Sequence, residues 1–85
     1  MPWRVTMIDQ RKTNKDIDLA IGHRIRAIRV SSGRSIEEIA IAAEMSTVDY
    51  SRGEQGERRF NAVELFAIGQ ALGVGLADIV SGLNY

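Results

Sequence analysis

Polar punctuation and apolar recurrence divide the chain into five helical stretches. Isoleucine returns at Ile17, Ile21, Ile25 and Ile28, one face of a helix whose other positions include Arg24, Arg26 and Arg29. The run "SSGR", with Ser31, Ser32 and Gly33, supplies its C-terminal turn. Ser35 with Glu38 three residues on is a capping-box pattern, and Ile36, Ile39, Ala40 and Ala43 follow at helical spacing. After two or three residues Ser46 and Asp49 open a third helix near Thr47, with a hydroxyl to cap it and an acid at the favourable end of the dipole. Asn61 with Glu64 caps a fourth, whose Leu65, Phe66, Ile68, Gly69 and Leu72 are expected to face the interior before "LGVG" ends it. A last short helix runs from Leu76 to about Val80. No segment alternates with the period of a strand. The pattern predicts an all-α bundle of five helices, each burying one face against the others.

The third helix is the weak one. Gly53 falls inside it, which costs on the order of 1 kcal/mol relative to alanine, and about two turns of helix are not stable alone. Packing must therefore hold it. On a helix starting near Thr47, Tyr50 and Gly53 face inward, leaving Thr47, Val48, Ser51, Arg52 and Gln55 on the outer arc. Two short helices joined by so short a connection, the second too weak to stand by itself, are what a helix-turn-helix looks like in sequence.

Composition narrows the chemistry. Eighty-five residues are expected to make one small domain, and no separate ligand-sensing unit is expected among them. There is no cysteine and a single histidine, His23, so neither a disulfide framework nor a zinc cluster is expected. No apolar run approaches the roughly 20 residues that span a bilayer, and the N-terminus lacks the apolar block of a signal peptide. A cytoplasmic protein without membrane contact is expected. No catalytic triad, paired catalytic carboxylates or phosphate-cradling glycine loop is visible, so neither an enzyme nor a cofactor nor a small-molecule substrate is expected.

Net charge is zero, but its distribution is lopsided. Residues 1–34 hold eight basic residues against three acids, and residues 35–85 hold three basic residues against eight acids. Such polarity points to an anionic partner for the first part. The first fifteen residues, "MPWRVTMIDQRKTNK", carry no helical pattern and read as a flexible basic arm (1–15) ahead of a domain at 16–82. If the short paired helices are a helix-turn-helix, Arg4, Arg11 and Lys12 are expected to follow a DNA backbone or enter its minor groove, as arms of such proteins do.

The stretch "IGHRIRAIRVSSGRSIEEIAIAAEMSTVDYSRGEQGERR" resembles the lambda-repressor-like helix-turn-helix domains, the Xre family, with first helix, scaffold helix, turn and recognition helix in register and "ALGVGLADIV" similar to the closing segment. The resemblance implies the compact five-helix fold of that family and binding of double-stranded DNA. By position it places Ser46, Thr47, Val48, Ser51 and Arg52 against DNA, and Arg58 in a loop that touches phosphate. It also implies a partly buried ion pair of Arg29 with Glu54 linking the first helix to the recognition helix. Arg34 and Ser35 stand at the N-terminal edge of the second helix, where the dipole favours phosphate. Arg52 is suited to guanine O6 and N7, and the methyls of Thr47 and Val48 to a thymine methyl. Asp49 is expected to serve the helix start rather than a base.

Three positions depart from the family. Its usual turn glycine is Glu44, so either a residue with a Cβ takes a left-handed backbone, at a cost of about 1 kcal/mol, or the turn is reshaped. Its frequent glutamine in the second helix is Ile36, which cannot bond phosphate or base. Gly53 replaces a large apolar residue. Either the space below is poorly filled and Gly53→Ala stabilises the domain, or Tyr50 or the first helix occupies the place where a Cβ would go.

The expected function is a sequence-specific DNA-binding transcriptional regulator, a repressor, reading the major groove with helix 47–55 as a homodimer. Leu76, Ile79, Val80 and Leu83, at helical spacing near the chain end, are the expected dimer surface. The alternative is an antitoxin-like or adaptor protein-interaction module with weakened DNA binding, favoured by the zero net charge, Ile36, Glu44 and Asp49.

Overall fold

The computed structural model describes residues 14–81, and five α-helices follow one another through them: α1 (Asn14–Ser31), α2 (Ile36–Ala42), α3 (Thr47–Glu54), α4 (Ala62–Leu72) and α5 (Leu76–Val80). Residues 1–13 of the expected arm, with Arg4, Arg11 and Lys12, lie outside the described residues, as does Leu83. Helix α1 begins at Asn14, so Asn14 and Lys15 belong to it rather than to the arm.

The starts are capped by side chains. Ser35 Oγ accepts from Glu38 N (3.0 Å) while Glu38 Oε1 accepts from Ser35 N (2.9 Å), and Asn61 and Glu64 make the same reciprocal pair at 2.8 and 2.9 Å. Ser46 Oγ accepts from Asp49 N at 3.0 Å. The ends follow one rule too. In α1 to α4 the chain turns back through a residue of positive φ, and the next amide donates to a carbonyl five residues behind it: Arg34 to Arg29, Met45 to Ala40, Glu57 to Arg52 and Val74 to Gly69. Three of the turn residues are Gly33, Gly56 and Gly73; the fourth is Glu44, at φ 57°. The helix-turn-helix bend thus keeps its geometry with a side chain where glycine is easier.

Helix α3 packs against α1 and α2, α4 against α2, and α5 against α1 and α4. The core between them is Ile25, Ile39, Ala40, Ala43, Tyr50, Phe60, Ile68, Leu72 and Ile79, with Ile21, Ile28, Ile36, Met45 and Leu65 packed around it. Phe66 departs from expectation and is 58% exposed. The buried stripe of α4 is Ile68, Gly69 and Leu72, and a residue two positions before Ile68 points to the far arc. Arg24 reaches from α1 to the end of α5, donating to the carbonyls of Asp78 (2.8 Å) and Ser81 (2.9 Å). That contact satisfies carbonyls a helix of five residues leaves open.

Candidate nucleic-acid interface

Helix α3 sits where one glycine lets two helices touch and another admits an aromatic ring. A Cβ on Gly22 of α1 would lie 2.6 Å from the carbonyl oxygen of Glu54, so α1 meets α3 backbone to backbone. A Cβ on Gly53 would stand in the ring of Phe60, 2.6 Å from Cε2. The space beneath α3 is therefore full, and its occupant is Phe60, from the segment after the helix, rather than Tyr50. Tyr50 lies beside it, with ring centroids 5.8 Å apart and planes tilted by 43°.

A buried polar network fixes the same helix. Arg29 of α1 donates to both oxygens of Glu54, Nε to Oε2 at 2.6 Å and NH2 to Oε1 at 3.1 Å, and its NH1 donates to the Arg34 carbonyl at 2.9 Å. Tyr50 donates its hydroxyl to Glu54 Oε2 at 2.5 Å. Hydrogen bonding to Glu54 raises the Arg29 guanidinium further above its ordinary range, and burial, then the neighbouring carboxylate, push the Tyr50 phenol well above the usual tyrosine range. Among the described residues no buried side-chain nitrogen or oxygen lacks a partner. The pair and the phenol thus tie α3 to α1 and to the α1–α2 turn, holding a two-turn helix in one orientation.

With Tyr50, Gly53 and Glu54 buried, α3 shows the opposite arc to solvent. Thr47, Val48 and Arg52 are exposed and Ser51 half-buried; Val48 stands 65% exposed. These four line an open groove of about 350 Å³ together with Ile36 and Glu37 from the start of α2. Ile36 serves as one wall of it. Arg52 also lies 3.9 Å from Glu57, a long contact between two exposed side chains.

The other anticipated contact residues do not line this groove. Ser35 and Ser46 use their hydroxyls as helix caps. Arg34 donates NH1 to the carbonyl of Ala71 at the end of α4 (3.2 Å). Arg58 is half-buried and engaged with α4, both terminal nitrogens on Glu64 at 2.9 Å, and this hydrogen bonding holds the Glu64 carboxyl below the usual carboxylate range. At the chain end, Leu76 and Val80 are exposed, but Ile79 is fully buried and belongs to the core of its own chain. With five residues in α5, a stripe cannot serve both sides, and Ile79 faces α1 and α4. The large exposed apolar residues of α4 are Val63 and Phe66.

Sequence reasoning passed over Gly22, Phe60 and Glu37. A glycine within an isoleucine-faced helix was a readable sign of close approach at Gly22. Phe60 follows a polar loop and carries no periodic signal, and Glu37 looks like any acid in a first helical turn.

The known proteins agree with this geometry. The helix-turn-helix domain model matches residues 20–80. No curated protein matches the chain. Among solved structures, the clp gene regulator ClgR from Corynebacterium glutamicum superimposes with a TM-score of 0.71 at 28% identity, covering 74% of this chain and 82% of that one. The restriction-modification controller protein C.AhdI from Aeromonas hydrophila (TM-score 0.70, 22% identity, 73% and 94% covered) shares the fold. So does the hypothetical transcription factor NHTF from Neisseria (0.70, 21%, 84% and 82%). With its scaffold helix, left-handed turn and packed recognition helix in register with that match, the chain belongs to the helix-turn-helix domain family.

Proposed function

We propose that this protein binds double-stranded DNA sequence-specifically as a transcriptional regulator, laying α3 in the major groove, and that it acts as a cytoplasmic repressor. The observation that carries the reading is the division of α3. Every large or charged group needed for packing is turned inward and fully paired, while Thr47, Val48, Ser51 and Arg52 stand outward in one groove. An exposed valine beside an exposed arginine has no packing purpose there, but suits a thymine methyl and a guanine edge. The similarity to ClgR, a clp gene regulator, supports the regulatory part. No catalytic role is proposed.

We place a homodimer interface on the exposed apolar residues of α4 and α5, Val63, Phe66, Leu76 and Val80. Two-fold pairing sets recognition helices one DNA turn apart, roughly 34 Å, on a near-palindromic site.

The second reading, an adaptor that keeps the fold, draws on how many arginines are engaged within the chain: Arg24, Arg29, Arg34, Arg58 and Arg59 all contact other described residues. A salt titration of binding to random duplex separates the two. Affinity falling steeply with salt marks phosphate neutralisation, and an adaptor shows no such slope. Within DNA binding, Arg52→Ala should relax one base position by about 1 to 3 kcal/mol and leave random-duplex affinity nearly intact.

A further inference from the structure

Glu37 and Glu38 are neighbours with different fates. Glu38 closes the capping box of α2 and is occupied. Glu37 is exposed, its carboxylate makes no hydrogen bond or ion pair with a described residue, and it lines the groove that holds Thr47, Val48, Ser51 and Arg52. The cap and the dipole of α2 already have their acid in Glu38. A second carboxylate aimed into a surface meant for DNA is repelled by every phosphate, so its place there calls for a partner that offers hydrogen.

Of the groups displayed in the major groove, only cytosine N4 and adenine N6 donate, and a carboxylate, which accepts only, is suited to cytosine N4. Arg52, which donates only, is suited to guanine in the same groove. We propose that Glu37 is a specificity-determining residue that accepts from a cytosine N4 near the guanine read by Arg52, so that the groove selects by one donor and one acceptor from two different helices. Glu37 thereby trades affinity for choice: it weakens binding to all DNA and restores binding only where the cytosine is present. The inference rests on the DNA-binding reading above and deepens it.

The test is selection from a pool of randomised duplexes with the wild-type protein, Glu37→Gln and Glu44→Gln. Glu44 is an exposed acid outside the groove lining, so its variant removes the same charge without the same position. Glutamine in place of Glu37 keeps size and suits adenine N6 and N7. Glu37→Gln is expected to fold with an unchanged melting midpoint and to bind random duplex more tightly. It should also switch one position of the motif from cytosine to adenine by about tenfold, leaving the others alone. Glu44→Gln should keep the wild-type motif throughout. An enriched wild-type motif that Glu37→Gln reproduces at every position overturns this inference alone. A wild-type pool in which no sequence is enriched overturns it together with the reading on which it rests.

Discussion

The ring of Phe60 occupies the place where a side chain on Gly53 would begin. Gly53 is thus a fitted position, and the entropy it costs in α3 is the condition for burying an aromatic ring beneath the helix. Gly53→Ala should destabilise the domain by about 1 to 3 kcal/mol through overpacking, because Phe60 is itself buried and has nowhere to withdraw. Thermal melts decide it, since a raised midpoint would mean that the ring yields freely.

Glu44 offers the opposite result. Gly33, Gly56 and Gly73 carry the same left-handed turn without a Cβ, and Glu44 makes no contact that needs its side chain. Glu44→Gly should stabilise by roughly 0.5 to 1 kcal/mol, the relief of strain less the added freedom of the unfolded chain. Denaturant midpoints with an unchanged slope would show it.

The Tyr50 hydroxyl gives a signature at high pH. Its folded value is raised, so its contribution is whole below the ordinary tyrosine range, near 10, and is lost as pH climbs beyond it. Tyr50→Phe should cost about 1.5 to 3 kcal/mol at neutral pH, for a hydrogen bond to a charged group, with the gap to wild type closing in alkali. Urea titrations across that range would contradict this if the gap stayed constant.

At the acid end the relevant group is Glu64, held down by Arg58 and by the amide of Asn61. A depressed carboxylate contributes above its unfolded value, near 4.3, and ceases to as pH falls through the folded value. Glu64→Gln should be less stable by about 1 kcal/mol at neutral pH and equal to wild type in acid. Arg58→Ala should lower the melting point similarly and leave the salt slope of DNA binding unaltered. A slope reduced by about one unit would return Arg58 to the phosphate contacts.

The proposed dimer is addressed by charge on its apolar surface. Phe66→Asp with Val80→Asp changes two exposed residues and should keep the fold. Sedimentation of a monomer where wild type is a dimer, with weaker operator binding, is the expected outcome. A folded, still dimeric variant would place the interface elsewhere.

Local chemistry made most of the fold readable. Ser35 with Glu38, Asn61 with Glu64, and Ser46 announced helix starts because the capping partners lie three residues apart in the chain itself. Gly33 and Gly73 announced ends for the same reason. Tyr50 and Gly53 were readable as inward by spacing alone. What spacing could not say is which distant group meets them: Phe60 under Gly53 and Gly22 against Glu54 are facts of the assembled chain. Phe66 misled because a hydrophobic residue next to a buried stripe looks like part of it. Arg58 reads as a loop cation until Glu64, six residues on, is seen to hold it.

The segment 55–61 would ordinarily be the cheapest place in such a bundle to accept extra residues. Here it works as a buckle. Gly56 closes against Leu19, Arg58 and Arg59 fasten it to Glu64 and Asp18, and Phe60 drives a ring under the recognition helix. Lengthening it by a single residue would withdraw that ring and untie α3 from below, so the loop after the recognition helix tolerates insertion no better than the core.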